Sequence, residues 1–214
     1  MKLQLALDDL TLVEAYLLVN KVKNYIDIIE IGTPFIYKEG LQAVKYFKEK
    51  FPKKEILADL KIMDAGYYEA TEAFRAGADY ITALAVTDIL TIKECVKAAN
   101  EWGKEIVVDM ICVQNFKEKI AELELLGAHG LAVHTGTDQQ AAGRRPIDDL
   151  KIISQYSQGA KISVAGGISA ENVAEYVTLN PSVIIVGSNI CHASNPVEVA
   201  KAVSIAMKEV EKNV

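Results

Sequence analysis

The sequence predicts an α/β fold, a single (β/α)8 barrel of the TIM type, and three observations carry that expectation. Short, almost wholly aliphatic runs recur along the chain, each bounded by a polar or glycine-containing joint. Between them apolar residues return every three or four positions, the spacing of an amphipathic helix. The alternation repeats eight times within 214 residues, with no Gly/Ser/Pro-rich linker and no low-complexity tract. Aliphatic runs suit parallel strands buried on both faces, and parallel strands need helical crossovers. Eight such units close into a barrel of this size. An open doubly wound sheet is the alternative, but it more often uses about five or six strands.

Leu3 to Asp8 reads as the first strand, and Leu12, Ala15, Val19 and Val22 mark its helix. Ile26 to Gly32 is the second strand, followed by a helix from Lys38 to Lys50 that stops before Pro52. Leu57 to Asp64 is the third strand and Gly66 to Ala76 its helix. Asp79 to Leu84 precedes a helix from Asp88 to Trp102. Ile106 to Met110 precedes one marked by Phe116, Ile120 and Leu123. The sixth strand, Gly130 to His134, leads through a long loop to a helix from Ile147 to Tyr156. Lys161 to Ala165 is followed by a helix from Ala170 to Leu179. Val183 to Gly187 is the last strand, and Val199, Val203, Ala206 and Val210 mark the closing helix. Three joints look alike, Ala76-Gly77-Ala78, Leu126-Gly127-Ala128 and Gln158-Gly159-Ala160, each with glycine placed to end a helix in a left-handed C-cap.

Half the residues are hydrophobic, enough for one sizeable core spanning residues 1–214 as a single domain. A net charge of -6 speaks against a nucleic-acid partner, which needs a basic face. No uninterrupted apolar run reaches membrane-spanning length, and the first residues are strand-like rather than leader-like. Cys95, Cys112 and Cys191 are odd in number and lack metal-site spacing. Reduced, buried thiols and a cytoplasmic location are therefore expected. An acidic chain that binds a phosphorylated substrate must do so locally, through backbone donors or a metal.

In barrels of this kind the active site lies at the C-terminal ends of the strands. Those ends carry Asp8, Glu30, Asp59 with Lys61, Asp109 and His134, whereas the N-terminal halves are expected to carry few such groups. Residues at i and i+2 of a strand share a face, so Asp59 and Lys61 project together and Ala58, Leu60 and Ile62 project the other way. Alone, such a pair is equally well a structural ion pair; recurrence of polar groups at strand ends favours a site. Glu30, Asp59 and Asp109 offer hard oxygen ligands without clustered His or Cys, which suits Mg²⁺ better than zinc. Lys61 is placed to stabilise an oxyanion, and His134 is the only histidine at a strand end and the natural proton carrier. His129 and His192 are expected at the surface. Arg144 and Arg145 read as a solvated pair or as a pair leaning over a sugar phosphate. Strands seven and eight end instead in Gly166-Gly167 and Gly187-Ser188, in the two loops where this fold often holds phosphate on backbone N–H groups.

The string Asp59-x-Lys61-x-x-Asp64 resembles the signature of the orotidine 5'-monophosphate decarboxylase superfamily. Longer strings, Leu3-Gln4-Leu5-Ala6-Leu7-Asp8, Glu30-Ile31-Gly32-Thr33-Pro34, Ala58 to Gly66, Val108-Asp109-Met110-Ile111 and His134-Thr135-Gly136, resemble its 3-hexulose-6-phosphate synthase branch across essentially the whole chain. The resemblance implies a barrel of the ribulose-phosphate-binding type. It also implies an aldolase, a lyase of the ribulose monophosphate pathway that condenses D-ribulose 5-phosphate with formaldehyde to D-arabino-3-hexulose 6-phosphate. It further implies Mg²⁺, or Mn²⁺ in its place, on Glu30 and Asp59, with His134 taking the C1 proton and Lys61 stabilising the enediolate. Asp8, Asp109, Gly166, Gly167, Gly187 and Ser188 would bind substrate. Asp64 would reach into the neighbouring subunit's site, which makes the protein a homodimer.

The related 3-keto-L-gulonate-6-phosphate decarboxylases resemble the chain less. They carry arginines where it has Thr137 and Ser188, cations suited to a carboxylated substrate. The synthases, for their part, often carry an aromatic residue at the position of Thr137. A catalytically silent sugar-phosphate-binding barrel is a third reading, opposed by the intact Asp59, Lys61, Asp64 and His134.

Overall fold

Eight parallel strands close in chain order, each bonded to its sequence neighbours and β8 to β1. They are β1 (Lys2–Leu7), β2 (Ile28–Ile31), β3 (Glu55–Ile62), β4 (Tyr80–Leu84), β5 (Glu105–Asp109), β6 (Gly130–His134), β7 (Lys161–Ala165) and β8 (Val183–Val186). Helices follow every strand, so the fold is the (β/α)8 barrel. The computed structural model describes the backbone of residues 1–211 and the side chains of residues 1–209. The side chain of Val210 lies outside those described.

Alternation along β1 shows how the strands divide their duties. Leu3, Leu5 and Leu7 are at most 1% exposed and belong to the core shared with the helices. Lys2, Gln4, Ala6 and Asp8, on the opposite face, line the barrel's interior cavity. The first helix, Leu12–Val22, is started by a capping box in which Thr11 and Glu14 satisfy each other's backbone N–H groups. Its Ala15, Leu18, Val19 and Val22 are the buried face.

Several boundaries differ from the sequence reading. The expected helix from Lys38 to Lys50 is two helices, Thr33–Glu39 and Gln42–Lys50. Pro34 fits a first turn, where its missing N–H costs nothing, and Gly40 at φ 63° breaks the run. The expected helix from Ala170 to Leu179 is helical only over Val173–Val177. The residues before it are claimed by a side-chain turn, with Ser169 N donating to Asn172 Oδ1 and Asn172 Nδ2 to the Gly167 carbonyl. Short helices at Thr137–Ala141 and Ser188–Cys191 lie where only loops were expected.

Gly77 and Gly127 have the expected left-handed backbone, at φ 107° and 85°. Gly159 does not: its helix ends at Tyr156, and the joint is organised from outside. Glu124 Oε1 accepts from the backbone N–H groups of Gln158, Gly159 and Ala160 and from the Ser157 hydroxyl, at 2.7–3.1 Å. Slight burial would raise the Glu124 pKa, but these donors outweigh it and hold the carboxyl below its ordinary 4.5. A depressed carboxyl stabilises the fold above its unfolded pKa and loses that contribution as pH falls through the folded value. Glu124→Ala is therefore expected to cost about 1 kcal/mol at pH 7, discounted for partial exposure. Urea midpoints should show that difference at pH 7 and progressively less of it as pH falls below the ordinary carboxylate range; an unchanged midpoint at pH 7 would refute the role.

The N-terminal ends of the strands are also richer in charge than expected. Lys2 pairs with Glu55, Lys161 with Glu105, and Asp79 with both Lys48 and Lys104. These groups neutralise one another at the solvent-facing bottom of the barrel.

Candidate active site

A cavity of about 1130 Å³ runs through the barrel, lined by N-terminal strand residues such as Lys2, Tyr80 and Lys161 as well as by the strands' C-terminal ends. Asp8, Glu30, Asp59, Lys61, Asp109, His134, Gly166, Gly167, Gly187 and Ser188 all line it. Asp64 does not. The structure thus gathers every sequence-predicted site residue except Asp64 around one space.

Asp59 and Lys61 meet by a route that strand alternation does not describe. Ala58 pairs with Ile81 of β4 and Ile62 with Ala83, so Asp59, Leu60 and Lys61 stand opposite the single residue Thr82. The strand bulges, and Lys61 takes φ 49°, a left-handed conformation costing a non-glycine residue about 1–2 kcal/mol. Lys61 Nζ nevertheless pairs with Asp59 Oδ2. Thr33 Oγ1 accepts from Lys61 Nζ at 3.0 Å and donates toward the Asp59 Oδ2 and carbonyl oxygens. Thr82 Oγ1 donates to Asp59 Oδ1 at 2.7 Å and accepts the Lys61 N–H at 2.9 Å.

Burial would raise the Asp59 pKa, but the charge and hydrogen bond of Lys61 outweigh it and hold the carboxyl below its usual range. Lys61 is raised in turn, Asp59 overcoming the effect of burial. The other two acids behave oppositely. Glu30, 9% exposed, is pushed up to about 8 by burial and then by the Asp59 charge. Asp8 is raised by the same two causes. Gln4 Nε2 donates to Glu30 Oε2 at 2.6 Å. Asp8 reaches the mouth because residue 32 is glycine: a Cβ there would fall 2.0 Å from Asp8 Oδ1.

Three acids facing one lysine form a site short of positive charge, which a divalent cation would supply. The donors are hard oxygens, as Mg²⁺ prefers. Among the described residues no three His, Cys, Asp or Glu side chains converge into a metal cage. A cation here would take Glu30 and Asp59 and complete its shell with substrate or water oxygens, the usual habit of Mg²⁺.

Across the cavity, His134 Nδ1 lies 2.8 Å from Asp109 Oδ2, and Asp109 Oδ1 accepts the Ile111 N–H at 2.9 Å. Both Asp109 oxygens are thus engaged within the protein. With Nδ1–H donated to Asp109, neutral His134 keeps its lone pair on Nε2. Burial lowers the His134 pKa, but the hydrogen bond and charge of Asp109 prevail and raise it above 6.5.

The loops after β7 and β8 face each other at the mouth. Gly166 and Gly167 have φ 126° and 66°, and a Cβ on Gly166 would lie 2.9 Å from the Thr135 carbonyl oxygen. Asn189 Nδ2 donates to the Ile168 carbonyl at 2.8 Å and ties the two loops together. This backbone, with Gly187 and Ser188, lines the cavity.

Asp64 is exposed, its Oδ1 accepting the Ala65 N–H at 2.7 Å. Neither Arg144 nor Arg145 lines the cavity; both are exposed, and Arg145 pairs with Glu175 at 2.8 Å. His192 is exposed and pairs with Asp9. His129, expected at the surface, is half-buried because its Nδ1 accepts the Ile106 N–H. All three cysteines are free, yet only Cys95 is buried. Cys191 is half-buried on the cavity wall, and Cys112 is exposed where the chain turns outward at φ 65°. Sequence reading missed the supporting side chains Gln4, Thr33 and Thr82. For Gln4 and Thr82 a signal existed: each is a lone polar residue inside an aliphatic strand.

The sequence matches the orotidine 5'-phosphate decarboxylase / HUMPS family over residues 1–203. The chain belongs to this family. A 3-hexulose-6-phosphate synthase of Staphylococcus epidermidis is 44% identical over 208 residues, covering 97% of this chain and 99% of that one. The crystal structure of 3-hexulose-6-phosphate synthase from Salmonella typhimurium superposes with a TM-score of 0.97 at 55% identity, covering 98% of this chain and all of that one. A decarboxylase branch of the family is also close in fold. The crystal structure of 3-keto-L-gulonate-6-phosphate decarboxylase from Vibrio cholerae gives a TM-score of 0.87 at 28% identity, with 98% of each chain covered. Within this family, then, the chain is nearer in sequence to these synthases than to that decarboxylase.

Proposed function

We propose that the chain catalyses the 3-hexulose-6-phosphate synthase reaction, condensing D-ribulose 5-phosphate with formaldehyde to D-arabino-3-hexulose 6-phosphate. The observation that carries this reading is the 55% identity and near-complete superposition with the Salmonella synthase. Thr137 and Ser188 line the cavity where the decarboxylases were expected to carry arginines, which supports the same choice.

In this proposal the substrate phosphate rests on the backbone of Gly166, Gly167, Gly187 and Ser188. Its sugar carbons then extend toward the acids on the opposite wall. Glu30 and Asp59 would hold Mg²⁺, which when bound would supply a Lewis acid for the ketone. His134 Nε2 removes a proton from C1, with Asp109 fixing the ring and favouring the imidazolium that results. The Lys61 ammonium faces the negative charge left on the enediolate oxygens. C1 then forms the new bond to the formaldehyde carbon, and the aldehyde oxygen takes back the proton that His134 holds.

The proposal includes a homodimer in the cytoplasm, with Asp64 serving the partner's cavity. Asp64 does not line its own cavity, and exposed apolar side chains flank it in sequence at Met63 and Tyr68, with Val86 and Leu90 exposed after β4. Among the described residues no helix is long and apolar enough to cross a membrane.

Purified protein supplied with Mg²⁺, ribulose 5-phosphate and formaldehyde is expected to form the hexulose 6-phosphate, and 3-keto-L-gulonate 6-phosphate to turn over far more slowly. Exhaustive chelation should abolish activity, and Mg²⁺ or Mn²⁺ should restore it. Faster decarboxylation than condensation would overturn the substrate assignment. Full activity after chelation would overturn the metal.

A further inference from the structure

We propose that Thr82 is a positioning residue for this reaction, its hydroxyl tying the backbone of Lys61 to the carboxylate of Asp59. The inference rests on the functional reading above for its kinetic consequence, and on the structure alone for its geometry.

The bulge in β3 creates the need. With three residues facing one, the Lys61 N–H has no regular ladder partner, and an unpaired backbone donor inside the barrel is costly. Thr82, the residue opposite, is 5% exposed and supplies the acceptor at 2.9 Å. Its single hydroxyl proton must then go to a group that only accepts. Ionised Asp59 is such a group, with Oδ1 at 2.7 Å.

The contacts close a ring. From Thr82 Oγ1 it runs to the Lys61 backbone, along the Lys61 side chain to Nζ, across the ion pair to Asp59, and back to Thr82. One carboxylate oxygen is held by Thr82, which directs the other toward Thr33 and Lys61. Loss of the hydroxyl opens the ring at two places. The left-handed backbone at Lys61 loses its anchor, and the Asp59 carboxylate is free to turn. Thr33 cannot substitute, because it approaches the pair from Oδ2 and does not touch the Lys61 N–H. Serine would preserve both contacts; valine, with the same shape, would preserve neither.

The test compares Thr82→Val and Thr82→Ser with wild type. In Thr82→Val, kcat should fall roughly 10- to 100-fold while KM for ribulose 5-phosphate stays within about twofold, because the phosphate loops are untouched. The Lys61 amide should exchange with solvent deuterium at least about tenfold faster, with the Leu131 amide in β6 as the unaffected control. Thr82→Ser should restore kcat and the Lys61 protection together. If the valine variant does not fold, Thr82→Ala repeats both measurements without placing a methyl group against the Asp59 carboxylate. Wild-type kcat in Thr82→Val, wild-type protection of its Lys61 amide, or equal loss in the serine variant would each overturn the inference. Should wild-type protein fail to condense the two substrates, the functional reading falls, and the Lys61 exchange comparison alone decides the role of Thr82.

Discussion

Replacing His134 with asparagine is expected to slow the entry of solvent deuterium at C1 of D-ribulose 5-phosphate by at least about a hundredfold, in the absence of formaldehyde. His134 lines the cavity with Nδ1 committed to Asp109, and among the described residues no hydrogen bond engages its other ring nitrogen. The pH dependence follows from its environment. Burial disfavours the imidazolium, but the Asp109 hydrogen bond and charge overcome this and raise the pKa above 6.5. The neutral form that acts as base therefore dominates only above that raised value, and exchange should climb with pH through a limb lying above 6.5. Asp109→Asn removes the raising charge, so its limb should move to lower pH. NMR of the C1 protons in deuterated buffer measures all three rates. Wild-type exchange in His134→Asn would assign the base elsewhere, to Asp64 or a metal-bound water.

If Asp64 is shared across a dimer, mixing two inactive variants is expected to restore about a quarter of wild-type activity. The variants are Lys61→Ala, which removes the cation facing the enediolate, and Asp64→Asn. In a two-fold dimer with reciprocal exchange of Asp64, each mixed dimer holds one doubly damaged site and one intact site. Random re-association at equal concentrations makes half the dimers mixed. Mass spectrometry of the mixture shows whether subunits have exchanged, and the condensation assay shows what they recover. If Asp64 serves its own barrel, every site keeps one lesion and no activity returns. Verified exchange without recovery would therefore reject the shared site and leave the barrel and the Asp59–Lys61 pair as described.

The bulge explains why sequence reading placed Asp59 and Lys61 together for an incomplete reason. Strand alternation puts i and i+2 on one face, and the two side chains do share the cavity. Yet Lys61 has a left-handed backbone, and β3 spends three residues against one of β4 at that point. No pattern within Leu57 to Asp64 announces this. The stabilising partner, Thr82, lies in another strand and becomes adjacent only when β3 and β4 pair.

Other features divide along the same line. The eight strands, the polar groups at their C-terminal ends and the glycines after β7 and β8 were legible because period, composition and position along an element are local properties. The resemblance to the superfamily was legible for the same reason, since it resides in short strings. The split of one expected helix at Gly40, the Glu124 carboxylate inside the Ser157–Ala160 joint, and the ion pairs beneath the barrel were not. Nor were the opposite fates of the acids, with Asp59 held ionised by Lys61 while burial drives Glu30 to about 8. Those outcomes depend on dehydration and on charges from separate strands brought within a few ångströms, which closure of the barrel alone determines.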